Sequence, residues 1–163
     1  LTLPLNILFP TNTEDLNNVL TQMYEDIAES INGSQSSWTP TVSGSTTTGT
    51  GTYSSQEGVY YRNGILVDCW FNITMTAHTG AGNIRIKLPL KIRSGADIWV
   101  GECLDSNVTY PSGTKLVLDG INDTLYCEIV ACGDGISSGI VQLSGTETIK
   151  GHIRYIGVID REA

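Results

Sequence analysis

The stretch from Ile65 to Ala77 constrains this chain most. Ile65, Val67, Cys69, Phe71, Ile73 and Met75 alternate with Leu66, Asp68, Trp70, Asn72, Thr74 and Thr76. A period of two sustained over that length fits a strand buried on one face and fits no helix. Asn63-Gly64 just before it is a strong hairpin signal, so a type I′ turn is expected to join this strand to Val59-Tyr60-Tyr61-Arg62. The second face is mixed, and Leu66 and Trp70 on it imply that something other than bulk water covers part of it. Packing at the core or at a subunit contact is the expectation for Trp70.

Further strands are read at Ile84–Leu88, Ile98–Cys103, Thr114–Leu118, Leu125–Ala131, Ile140–Leu143 and Thr148–Val158, separated by clusters of Gly, Pro, Asn and Asp. Seven or more short strands with no helices between them predict a mainly β fold, an antiparallel β-sandwich or a jelly-roll-like domain, and exclude a parallel α/β fold. The 19 Thr, 14 Ser and 18 Gly among 163 residues suit a turn-rich β protein and are poor material for a helical bundle. One core is what a chain of this length supports.

A single helix is expected ahead of the β region. Thr11-Asn12-Thr13-Glu14 fits a capping box, and Leu16, Val19, Leu20, Met23, Ile27 and Ile31 recur at three- and four-residue steps until Asn32-Gly33 stops them. The stripe is too short for a free-standing coiled coil. It can be buried either against copies of itself or against the chain's own sheet. Before it, residues 1–10 are apolar with Pro4 and Pro10 and should be extended, and a chain opening on Leu1 suggests a processed protein or a fragment of a longer one. After it, 18 of the 23 residues from 33 to 55 are Gly, Ser or Thr, which reads as a short linker followed by edge-strand or loop material over Thr41–Tyr53. The β domain proper is placed at 56–163.

The formal net charge of −8 is unevenly distributed, because no Lys or Arg precedes Arg62. Nonspecific binding to nucleic acid or anionic lipid needs clustered cations, and no nucleic-acid partner is expected. The cluster Arg85, Lys87, Lys91 and Arg93 reads as a solvated face. No run of about 18 apolar residues is present, so no membrane insertion is expected. Cys69, Cys103, Cys127 and Cys132 lack zinc-site spacing and only two histidines accompany them, so neither a metal nor another cofactor is predicted. Gly135-Ile136-Ser137-Ser138-Gly139 matches a nucleophile elbow in letters, yet it runs into a strand rather than a helix. No enzymatic activity is expected.

Four segments in order carry a family likeness. They are Trp38-Thr39-Pro40-Thr41, then Gln56 to Val67 with its Gly58-Val59-Tyr60-Tyr61-Arg62-Asn63-Gly64 hairpin, then Gly82 to Pro89 ending in Leu88-Pro89, and last Ile149 to Tyr155 with Gly151-His152-Ile153-Arg154-Tyr155. Over roughly residues 38 to 158 the chain resembles a distal knob domain of tailed-bacteriophage tail fibre and appendage proteins. The resemblance implies a virion location, a homotrimer whose helices (Leu16, Val19, Leu20, Met23, Ile27, Ile31) pack around the threefold axis, and docking to other virion proteins. It also implies a β knob that binds a host-surface receptor. Loops on a rigid sheet can combine an aromatic face with polar groups for a saccharide, and Trp99, Asp105, Asn107, Tyr110 and Ser112 are the expected receptor-binding candidates. The competing expectation is a structural virion component with no receptor role.

Overall fold

In a computed structural model of the chain, the described residues are 13–95, 100–133, 136–139 and 146–158. Helix α1 (Thr13–Asn32) comes first. Ten strands follow: β1 (Ser34–Trp38), β2 (Val42–Gly44), β3 (Gly51–Asn63), β4 (Leu66–His78), β5 (Ile84–Lys87), β6 (Val100–Ser106), β7 (Lys115–Gly120), β8 (Tyr126–Gly133), β9 (Ile136–Gly139) and β10 (Thr148–Ile156). The mainly antiparallel, sandwich-like architecture with one N-terminal helix is as the patterning predicts. Residues 1–12 and the expected strand Ile140–Leu143 lie outside the described residues, as does Trp99.

Among the described residues the strands run in the order β1-β3-β4-β10-β6-β7-β8-β5-β2, with β9 beside β8 and each neighbouring pair antiparallel. Strands β1 and β2 stand at opposite ends of this order, yet only Thr39, Pro40 and Thr41 separate them in sequence. Four Cα steps reach at most about 14 Å, so the sheet must curl until its two ends approach. Polar contacts fasten the closure. The Tyr53 hydroxyl of β3 accepts from Val42 N at 2.9 Å, and Gln56 Nε2 donates to Pro40 O at 2.8 Å. His78 Nδ1 accepts from Gly80 N at 2.8 Å, which leaves Nε2 to carry the proton and donate to Val42 O at 3.1 Å. His78 thus has a structural role at this seam.

The curl encloses one core. Val67, Cys69, Phe71, Ile73 and Met75 of β4 are all buried, and they meet Ile84, Ile86, Leu118, Ile129, Ile149, Ile153 and Tyr155 from the other strands. Two of the segments that carry the family likeness, residues 38–41 and 56–67, meet at its edge. Trp38 lies edge-on to Phe71 at 6.3 Å and directly over Gly58, where a Cβ would fall 2.5 Å from the indole nitrogen. Tyr155 is fully buried and its hydroxyl bonds both backbone groups of Leu90, donating to O at 2.9 Å and accepting from N at 3.3 Å. Strand β10 thereby pins the segment that follows Leu88-Pro89.

Two local expectations need correction. The hairpin loop is Gly64-Ile65, closed by the Asn63↔Leu66 pair, and φ is positive at Gly64 (58°) alone. That is the type II′ sign pattern rather than type I′, which would require a positive φ at both central residues. The residues after Gly33 do not form a linker. Ser34–Trp38 pairs with Gly58–Arg62 as edge strand β1, because Ser and Gln side chains tolerate an edge and Trp38 gains burial at its end. Of the two settings expected for Trp70, the core and a subunit contact, the first does not occur within this chain: it stands on the outer face of the sheet and is 43% exposed.

Helix α1 ends at Asn32 as expected, but its apolar stripe is uncovered. Leu16, Val19, Leu20, Met23 and Ile27 are all exposed, so within this chain the stripe is not folded against the sheet. The side chain of Ile31 lies outside the described set. The basic cluster is partly neutralised: Arg85 pairs with Glu128 at 2.7 Å and Lys91 with Asp123 at 2.6 Å.

Candidate functional site

Antiparallel register decides which outward side chains become neighbours. On the outer face Tyr61 of β3 opposes Asp68 of β4, which opposes Arg154 of β10. In the next outward row Val59, Trp70, His152 and Glu102 line up across β3, β4, β10 and β6. Beyond it come Glu57, Asn72, Lys150 and Leu104. These rows place an aromatic ladder on a four-stranded platform. Trp70 stacks on His152 with centroids 4.6 Å apart and planes 16° apart, and Tyr61 meets Trp70 edge-on at 5.7 Å.

The ladder is held at both ends. The Tyr61 hydroxyl donates to Gln35 Oε1 at 2.7 Å. Asp68 Oδ1 takes His152 Nε2 at 3.2 Å and Arg154 Nε at 2.8 Å. Burial pushes the Asp68 pKa up, but the hydrogen bonds from Arg154 and His152 together with their charges outweigh it and hold the carboxyl below the usual carboxylate range. An ionised Asp68 therefore fixes the imidazole against the indole.

Grooves flank the ladder. One of about 230 Å³ lies on the β3 side, lined by Glu57, Gly58, Val59, Trp70, Phe71 and Asn72. Another of about 240 Å³ lies on the β10 and β6 side, where Trp70 and His152 face Glu102, Leu104 and Lys150. A third of about 350 Å³ continues from it along Leu104, Asp105, Thr148 and Lys150. Leu104 is 74% exposed, an unusual position for a large apolar side chain in the middle of a sheet face.

Of the receptor-binding candidates read from sequence, Asp105 alone is placed along a described groove here, and its Oδ2 also accepts from Val108 N at 3.3 Å. Asn107 adopts a left-handed φ of 69° and its Nδ2 donates to Thr146 O at 3.1 Å, so its side chain shapes the connection. Tyr110 and Ser112 are exposed on the loop beyond. The ladder residues Tyr61, His152 and Arg154 were absent from that candidate set. Only Trp70 carried a signal, as an aromatic on the nominally polar side of the alternation. Ser137 lies within strand β9 rather than at a strand-to-helix turn. Among the described residues no group of three or more His, Cys, Asp or Glu is placed to hold a metal.

No family model matches the chain, and no curated protein matches it. Among solved structures it is similar to the Dettilon tailspike protein (gp208), with a TM-score of 0.61 and 18% sequence identity. The match covers 76% of this chain and 24% of that one, so this chain spans about a quarter of the tailspike's length. At that identity the likeness is one of fold. The shared part is a fold found within a phage tailspike, and it does not single out a distal knob.

Proposed function

We propose that this protein is a component of a bacteriophage tail appendage, located in the virion, whose β domain binds a saccharide receptor on the host surface as a homotrimer. The observation that carries the reading is the recurrence of its fold inside a tailspike protein. The chain's own physics supports the trimer. A helix of 20 residues is marginal in water unless its stripe is covered, and the exposed Leu16, Val19, Leu20, Met23 and Ile27 supply the faces for three copies to bury. Ile31 continues that stripe in sequence. Three copies on one appendage, and several appendages on one particle, turn weak single-site contacts into firm attachment. Residues 1–10 are assigned to docking on other virion proteins. No catalytic role is assigned.

Mass measurement in solution tests the oligomer. A trimer is expected, Met23→Asp is expected to reduce it to monomer, and a 17.6 kDa species at all micromolar concentrations refutes it. Binding of the intact protein to host cells and to immobilised glycans tests the receptor role. The second reading, a structural virion component, is favoured by the same uncovered helix stripe, which asks for a protein partner. It prevails if the protein binds virion proteins and no host surface.

A further inference from the structure

The outer-face ladder resting on β3, β4, β10 and β6 goes beyond the loop candidates of the sequence. We infer that this face is the saccharide site, with Trp70 as its central wall, and that its ligand class is a neutral pyranose glycan; this rests on the receptor reading above. The lining is a mixture of ring wall and unengaged polar groups. Trp70 lines grooves on both of its sides, one toward β3 and one toward β10 and β6. Stacking on His152 and the hydrogen bonds to Asp68 and Gln35 hold the ladder before any ligand arrives, which lowers the ordering cost of binding.

The polar groups beside this wall match sugar hydroxyls, each of which donates one hydrogen bond and accepts others. Among the described residues, Glu57, Glu102 and Lys150 make no side-chain hydrogen bond or ion pair, and the buried Asn72 Oδ1 has no partner. Glu57 and Glu102 therefore offer carboxylate acceptors on the two sides of Trp70, and Lys150 an ammonium donor on one. Charge selects against acidic glycans. Glu57, Asp68 and Glu102 surround the indole, Arg154 is already engaged by Asp68, and Lys150 is the one unpaired cation among these groups. A polyanionic chain laid across the face would be repelled by the carboxylates more than Lys150 could attract it. Size points the same way: volumes of about 230 and 240 Å³ fall below the range for drug-sized ligands and one of about 350 Å³ near its bottom, which suits successive single rings.

The test uses the full chain against an immobilised panel of neutral glucose-, galactose- and mannose-based oligosaccharides and their uronate- or sialate-bearing counterparts, alongside host-cell binding. The wild type is expected to bind neutral members. Trp70→Ala is expected to weaken that binding by about tenfold or more, as loss of an aromatic anchor does. Leu104→Arg, at a 74% exposed position that leaves the core untouched, is expected to weaken it as well by filling the groove. Lys115→Ala, at an exposed position of β7 that borders none of these grooves, is expected to leave it unchanged. If the wild type binds cells and glycans and both Trp70→Ala and Leu104→Arg bind equally well, the site is refuted and the receptor reading stands. Binding confined to acidic members refutes the ligand class. If these variants lower the solution mass while glycan binding persists, the face is a contact between copies of the chain and the inference falls. No binding of the wild type to cells or glycans overturns the receptor reading and this site with it.

Discussion

Tyr155→Phe isolates the contact by which β10 holds the chain after Leu88-Pro89. The ring is retained, so no cavity opens and the apolar burial of this fully buried side chain is unchanged. What disappears is the hydroxyl that donates to Leu90 O at 2.9 Å and accepts from Leu90 N at 3.3 Å. Each such bond contributes about 0.5–1.5 kcal/mol net, and a buried group left unmatched costs about 1–3 kcal/mol. Leu90 is half-buried and recovers part of its hydration. The weak thiol contact from Cys69 at 3.9 Å adds little. A loss of roughly 2 kcal/mol results, which for a domain of this size lowers Tm by about 4–8 °C. Equilibrium urea unfolding, compared at unchanged m-value, measures it. A loss below about 0.5 kcal/mol would refute the claim that this hydroxyl fastens the segment to the core.

Gly58→Val places a Cβ 2.5 Å from the Trp38 indole nitrogen, so it is expected to expel Trp38 from its seat on Phe71 and destabilise by about 2–3 kcal/mol, read by urea unfolding and by a red shift of tryptophan emission. The Asp68 carboxyl, held below its ordinary range by Arg154 and His152, contributes stability that is complete above about pH 4 and is lost as pH falls through its folded value. Asp68→Asn should therefore flatten the fall of the urea midpoint as pH drops below about 4, and an unchanged slope would contradict the pairing. The Cys69 and Cys103 thiols are pushed up to about 12, chiefly by burial, so both are expected to resist alkylation at pH 8 in the folded protein and to react promptly in urea.

Local patterns carried much of the fold. Alternation through Ile65–Ala77 foretold the buried face of β4, and the three- and four-residue steps from Leu16 to Ile31 foretold α1, because side-chain direction repeats with period 2 or 3.6 whatever the rest of the chain does. Local signals failed where a neighbour decided. Asn63-Gly64 promised a type I′ turn, but the pairing of Asn63 with Leu66 moved the loop one residue on. Ser34–Trp38 looked like linker because nothing in its Ser-rich composition announces the free edge of β3 or the seat that Gly58 and Phe71 make for Trp38.

The candidate site was legible only in one residue. Trp70 stood out as an aromatic on the polar side of its strand, and its fate depended on what lay across from it. By itself the sequence determined that this chain is a mainly β protein with one acidic amphipathic helix, since periodicity, caps and turn residues act within a few positions. Only the tertiary structure decided that Asp68 and His152, 84 residues apart, hold the ladder together and that Lys150 and Leu104 border it. Cross-strand register does that work: it is set by how the strands share one core, and shifting one strand by a single residue would turn that strand's platform side chains inward.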